Sequence, residues 1–319
     1  MFVKRFAQID KDMFQEAGGK GAHLGEMTRA GLRVPSGFVV MGNAYYHHLE
    51  QNNLESKIRE ISSDIDFDDY EDLDVKTKAI RQLIGDAPIP KDIEREVVEQ
   101  YGDMFPGERG GFVAVRSSVA IKDSAVSSFP GLMDTFHYLK GAEEVLTAVR
   151  RVWSSVWSAR AAFTRHNKGL DHWKAVIAPV VQKMVNSDKA GVAFTVNPMN
   201  GSRDEVMIEA NFGLGEGVVS GQCLTDLFVT TKGAFEIRSR NISVKEKCFV
   251  QRPEGGAGWV ELDAQRGAQP CLSDYEVERV RDLAVRVEDH YGYPQDIEWA
   301  FEGDTLVLLQ ARRAKVAGE

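Results

Sequence analysis

Residues 296–312 read DIEWAFEGDTLVLLQAR, and the two runs around the central glycine, QDIEWAFEG (295–303) and DTLVLLQARR (304–313), predict a β-hairpin. Side chains alternate along a strand, so Asp296 and Glu298 face one side, and Gln310 and Arg312 do the same on the returning strand. Two acids, an amide and a guanidinium on one sheet face make a poor core. They suit Mg2+ and a triphosphate, because Mg2+ takes carboxylate and amide oxygens together with phosphate oxygens, and a guanidinium bridges phosphate oxygens bidentately. An exposed hairpin face with two cross-strand ion pairs is the other reading of the same spacing.

Moving upstream, LSDYEVERVRDLAVRVEDHYG (272–292) predicts a helix with Ser273 or Asp274 as its N-cap. Before it come AVIAPVVQKMV (175–185), AGVAFTVN (190–197), DEVMIEANFG (204–213) and LFVTTKGAFEIRSR (227–240), all β-rich and separated by turn residues. They predict a largely antiparallel region. AEEVLTAVRRVWSSVWSARAAFTRH (142–166) predicts one long amphipathic helix with Val145, Val149, Val152, Trp153 and Val156 inward. SSDIDFDDYEDLD (62–74) reads as a solvated acidic linker between helices; it lacks the glycine and terminal glutamate of a calcium-binding EF-hand loop. The fold class that follows is α+β.

Several upstream segments could add chemistry to the hairpin. GFVAVRSS (111–118) predicts a buried strand that ends on Arg116, and strand ends are where α/β proteins place their chemistry. The serine-rich stretch after it, with Gly131 and Thr135, can close over phosphates with amides and hydroxyls, although such loops are common. Gln182 and Lys183 interrupt the apolar run VVQKMV, which suits either a hinge whose backbone pairs with an adenine edge or an alternating edge strand. GGKGAHLGEM (18–27) places Lys20 among glycines ahead of a helix, but without the spacing of a P-loop. EANFGLGEGVVSG (209–221) does not form the G-x-G-x-x-G fingerprint of a dinucleotide fold.

The chain has 319 residues, 39 basic and 48 acidic side chains and a net charge of −9, so general binding to nucleic acid or a membrane surface would oppose its mean field. Three widely spaced cysteines, Cys223, Cys248 and Cys271, fit neither a disulfide framework nor a zinc site. With no signal-like N-terminus and no apolar stretch long enough to span a bilayer, a cytoplasmic location is expected.

In order along the chain, GGKGAHLGEMTRAGLRVPSGFVV, AVRSS…SFPGLMDT, VVQKMV…AGVAFTVNP, IEANFGLGEGVVSG and YGYPQDIEWAF…LLQAR resemble the N-terminal ATP-binding domain shared by phosphoenolpyruvate synthase, pyruvate phosphate dikinase and rifampin phosphotransferase. The resemblance covers nearly the whole chain and implies an ATP-grasp-like fold of two or three lobes around a nucleotide cleft, with an N-terminal lobe over 1–180 and a C-terminal lobe over 181–319. Carried over position by position, Lys20 and Arg116 match the nucleotide-phosphate pair, Gly131 and Thr135 the phosphate-covering loop, and Gln182, Lys183, Met184 and Val185 the adenine hinge. Glu298 and Gln310 match the metal-binding pair, Arg312 the arginine on the transferred phosphates, and Asp296 and Lys245 lesser members of the pocket. The implied cofactors are ATP and Mg2+, and the implied reaction cleaves ATP between its α and β phosphates, leaving AMP and a pyrophosphorylated histidine.

Two departures from the family pattern stand out. Lys122 in VAIKD occupies a place where the family carries an acid. The swivelling domain with its T-S-H-A-like phosphohistidine signature is absent, and His23, His47, His48, His137, His166, His172 and His290 all lie outside such a context. The expectation is therefore a free-standing ATP-binding subunit whose histidine sits on a partner polypeptide, as in phenylphosphate synthase, whose β subunit is the nearest guess and whose acceptor is phenol. The alternatives are the ATP-binding domain of a phosphoenolpyruvate synthase, an ATP-sensing module without turnover, and an ATP-grasp carboxylate ligase, which would release ADP.

Overall fold

The computed structural model describes residues 1–107, 110–121, 135–252 and 256–314. It divides into two compact units, one of Met1–Arg29 and Ser36–Met184, the other of Ala30–Pro35 and Val185–Glu319. Lys122 and Gly131 lie outside the described residues.

The first unit holds β1 (Val3–Arg5), α1 (Phe14–Arg29), β2 (Gly37–Val40), α2 (Gly42–Gln51), α3 (Glu55–Ser63), α4 (Tyr70–Asp86), α5 (Lys91–Asp103), β3 (Val113–Arg116), β4 (Val119–Ile121), β5 (Thr135–Leu139), α6 (Ala142–Ser155), α7 (Ala159–Asn167), β6 (Ala175–Ile177) and β7 (Val180–Lys183). Five strands form a sheet in the order β1-β2-β7-β3-β5, while β4 and β6 form a separate ribbon. Alternation splits the sheet residues between two environments. Val3, Phe38, Val40, Val113, Val115 and Val181 join the main apolar core with Ile58, Ile80, Ile93, Val149, Val152 and Trp153 of the helices. The intervening residues, including Val39, Gln182, Ala114 and Arg116, face the other way, where α1 lies against Val39 at Gly21.

Three local expectations need correction. The segment 142–166 is not one helix: α6 ends at Ser155, and α7 starts after Ser158, whose side chain accepts a hydrogen bond from Ala161 N. That serine satisfies an orphan helix-start amide and so competes with helix continuation, although every inward residue named above is buried. The second half of the acidic stretch is the first turn of α4 instead of linker, because Asp69 caps Glu71 N and Asp72 N and the following acids sit at the positive end of the helix. Finally, β7 is no edge strand: it is paired on both sides, with β2 and with β3.

The second unit holds β8 (Lys189–Phe194), β9 (Glu205–Phe212), α8 (Gly215–Val219), β10 (Asp226–Thr231), β11 (Ile237–Asn241), β12 (Lys247–Gln251), β13 (Ala257–Glu261), α9 (Ala264–Gly267), α10 (Asp274–Tyr291), β14 (Gln295–Glu302) and β15 (Thr305–Arg313). Its six-stranded sheet, β11-β10-β9-β8-β14-β15, is antiparallel throughout, as the β-rich segments predicted. A capping box fixes the start of α10, with Ser273 accepting from Glu276 N and the Glu276 carboxylate accepting from Ser273 N. The helix covers one sheet face with Val277, Val280, Ala284 and Val287, all fully buried. Leu308 N of β15 donates to Arg33 O at 2.8 Å, which ties Ala30–Pro35 into this unit. The fold class is α+β.

Candidate functional site

In the first unit the glycine-rich turn is held by a serine. α1 is broken at Gly18, whose φ of +68° suits glycine, and a Cβ there would lie 2.5 Å from the Ser118 carbonyl carbon. Ser118 Oγ donates to Ala17 O at 2.8 Å and accepts from Gly21 N at 3.0 Å, so one hydroxyl spans the kink. Lys20, between these anchored residues, donates through Nζ to Ser117 O at 3.1 Å. The turn thus holds a lysine beside the chain that immediately follows Arg116.

Arg116 ends β3 with Thr135 opposite it on β5 and Val180 opposite it on β7. Its Nη1 donates to Gln182 Oε1 at 3.2 Å. Gln182 is 4% exposed, and its buried Nε2 has no hydrogen-bond partner among the described residues, a donor whose desolvation they leave uncompensated. Lys183 N donates to Ser36 O and Met184 N to Phe112 O, each within 2.9 Å, so those two amides are already committed. The Lys183 ammonium lies 5.3 Å from the Phe105 ring centre. Val185 begins the second unit, partly buried against Ala190, Ala300 and Val307.

In the second unit the hairpin has the register its alternation required. Asp296 opposes Arg312 and Glu298 opposes Gln310, followed by a bulge between Glu298 and Trp299. On the other side Asp296 opposes Phe194 and Glu298 opposes Val192 of β8, which in turn opposes Glu209 of β9. Glu209, Val192, Glu298 and Gln310 therefore form one row across four strands, all half-buried, on the face away from α10. Arg312 Nε donates to Asp296 Oδ2 at 2.7 Å. Burial pushes the Asp296 carboxyl above its ordinary pKa and the nearby Glu298 charge adds to that, while Arg312 opposes both. Glu209 was missed by sequence reasoning; its place in the row needed the β8–β9 register, although strand alternation put it on an outward face.

Lys245 is not brought to this row. Its Nζ pairs with Asp226 Oδ1 at 2.6 Å, both side chains being fully buried. Asp226 opposes Ala210, one register step from Glu209, so its side chain leaves the sheet on the opposite face. Asp226 also accepts from Ser243 N and Cys271 N, which makes this pair part of the internal frame of the second unit.

The donor set fits the expected ligands. Glu298 and Gln310 offer hard oxygens on adjacent strands, and among the described residues no group of three or more His, Cys, Asp or Glu forms a protein cage for a metal. Mg2+ is ordinarily held in this way, by one or two protein oxygens with the rest from phosphates and water. Glu298 and Gln310 would hold it, and it would neutralise charge on the phosphates. Among the described residues no helix is long and apolar enough to cross a membrane.

Comparison with known proteins gives consistent results. The chain is 44% identical to a probable phosphoenolpyruvate synthase of Methanocaldococcus jannaschii, over 98% of this chain and 26% of that protein. It is 37% identical to the phosphoenolpyruvate synthase of Pyrococcus furiosus, over 98% of this chain and 43% of that protein. With a probable phosphoenolpyruvate synthase of Methanothermobacter thermautotrophicus it shares 38% identity, over 100% of this chain and 46% of that protein. The chain thus spans between about a quarter and a half of the length of these relatives. The model of the family described as the pyruvate phosphate dikinase AMP/ATP-binding domain matches residues 14–319, and the chain belongs to that family.

Proposed function

We propose that this chain is the ATP-binding domain of a phosphoenolpyruvate synthase-type dikinase, which with Mg2+ converts ATP to AMP and passes the β and γ phosphates to a histidine outside these 319 residues. The observation that carries the reading is the β14–β15 register, which sets Asp296 against Arg312 and Glu298 against Gln310 on one sheet face, Asp296 buried, Glu298 and Gln310 half-buried and Arg312 exposed. The names of the relatives above support this acceptor chemistry; none of them points to phenol. Their greater length supports a histidine-bearing swivelling domain as carrier, joined to such a domain or supplied as a partner subunit.

In this reading the chain positions phosphates and neutralises their charge, since phosphoryl transfer asks little covalent chemistry of a protein. Lys20 and Arg116 hold the nucleotide phosphates, and Arg312 holds the transferred ones. Thr135, beside Arg116, adds a hydroxyl. Gln182 Nε2, the buried donor without a partner among the described residues, suits an adenine ring nitrogen at the hinge formed with Lys183, Met184 and Val185.

The test is to incubate the chain with Mg2+, ATP labelled at the β phosphate and a histidine-bearing carrier domain from a phosphoenolpyruvate synthase relative. AMP and label on the carrier are expected. ADP in place of AMP would indicate ligase chemistry, and ATP binding without AMP would indicate a sensing module; either result overturns the dikinase reading.

A further inference from the structure

A cavity of about 440 Å³ opens within the first unit at the place where α4, the end of α6 and the start of α7 meet the start of β5. Arg81 of α4 and Arg151 of α6 line it together with Phe136, Thr135 and Ser158. Among the described residues neither guanidinium meets a carboxylate, although acidic side chains outnumber basic ones 48 to 39 in the whole chain. Arg81 Nε is buried and has no hydrogen-bond partner among the described residues. Arg151, an exposed side chain, lies over the Phe136 ring with Cζ 4.5 Å from its centre, a contact that favours this placement of the guanidinium.

The rest of the lining adds donors. Ser158, the N-cap of the nine-residue α7, accepts Ala161 N through its oxygen and keeps its hydroxyl proton to give. Ser154 and Ser155 bond back to Arg151 O and Val152 O and form a polar floor. The last carbonyls of α6 are closed by Trp157 N and Ser158 N, so the negative end of that helix is covered while the positive end of α7 begins at the cavity. Two guanidinium forks from different helices that meet no carboxylate among the described residues, one of them with a buried unmatched Nε, and a hydroxyl proton amount to more donors than a lone carboxylate would use. They match the oxygens of a phosphate group.

We infer that this cavity is an anion site, beside the proposed nucleotide site and sharing Thr135 with it, that takes a phosphate group as inorganic phosphate or as a small phosphate monoester. Its volume lies within the range of small-molecule sites. Thr135 is common to the two regions, since it opposes Arg116 on β5 and also lines the cavity.

The test titrates the full 319-residue chain by calorimetry with inorganic phosphate and, separately, glycerol phosphate, at ionic strength held constant with chloride. Saturable binding is expected. Loss of one fork in Arg81→Gln or Arg151→Gln should weaken it by about tenfold or more, with ATP affinity within about twofold of the parent. Arg81→Lys, which keeps charge without the fork, should recover only part of the loss. Lys20→Gln should show the reverse pattern, weaker ATP binding and unchanged phosphate binding. Tighter binding of glycerol phosphate would identify the ligand as an ester, and equal or weaker binding as free phosphate. The proposal is overturned if the arginine variants bind phosphate as the parent does, if Lys20→Gln abolishes phosphate binding, or if binding vanishes at constant ionic strength.

Discussion

A single buried lysine shows what a position-by-position carry-over leaves open. Lys245 was carried over from the family resemblance as a lesser member of the pocket, and nothing local in the sequence says which sheet face it will meet. Its partner Asp226 is 19 residues upstream, and the pairing depends on the β9–β10 register that turns Asp226 away from Glu298. Removing one member of a buried pair leaves an uncompensated charge, at a cost of about 3–5 kcal/mol. Lys245→Met should therefore lower stability by about that amount in urea unfolding, with ATP affinity preserved in the fraction that remains folded. Intact stability with lost nucleotide affinity would return Lys245 to the phosphates. By contrast, Asp296, Glu298, Gln310 and Arg312 were legible from sequence, because alternation and a short hairpin fix faces and partners with little help from distant chain.

At the scale of elements, glycine and serine punctuation carried more information than hydrophobic periodicity did. The break between α6 and α7 lies in SSVWS, where Ser158 offers a cap, yet the apolar spacing runs through it undisturbed. In α1 the glycine run was legible as a turn, but the lock was not, since Ser118 lies 100 residues after Gly18. Gly18→Ala would combine a positive φ with a backbone clash and should cost about 1–3 kcal/mol, and the displaced turn should weaken ATP binding through Lys20. Thermal melts and nucleotide titration on the variant check both effects; an unchanged ATP affinity would separate the kink from the proposed function. Glu205, which opens β9, makes a different kind of element junction: it accepts from Asn197 at 2.7 Å, Asn200 at 3.1 Å and Arg238 of β11 at 2.8 Å. The asparagine hydrogen bonds first, then Arg238, hold its carboxyl below the ordinary pKa. Since the folded value is depressed, this stabilisation is complete above the unfolded-state pKa and is lost as pH falls through the folded one. Glu205→Gln should cost about 1–2 kcal/mol at neutral pH and less in acid, so the two stability curves should converge as pH drops below about 4. Parallel curves would show that the carboxylate charge contributes nothing.

For the molecule as a whole, the expected site residues are divided between two compact units, with Lys20, Arg116, Thr135 and Gln182 in the first and Asp296, Glu298, Gln310 and Arg312 in the second. That division explains why no single motif settled the reading: each unit contributes a partial phosphate signal, and neither Lys20 nor Glu298 alone separates a nucleotide site from a turn or an ion-paired hairpin. The proposal that both sets serve one ATP has a thermodynamic signature. Residues acting on independent ligands give additive free-energy changes to within about 0.3–0.5 kcal/mol, whereas residues that act on the same phosphates and metal ion couple by about 0.5–3 kcal/mol. Lys20→Gln and Glu298→Gln should each weaken binding of ATP with Mg2+, and the double variant should depart from the sum by at least about 0.5 kcal/mol. Repeating the cycle without Mg2+ should shrink the departure, because Glu298 is expected to reach the phosphates through the metal ion. Calorimetry should also return one ATP per chain. Strict additivity, or two nucleotides per chain, would assign Lys20 and Glu298 to separate ligands and remove the basis for a shared dikinase site.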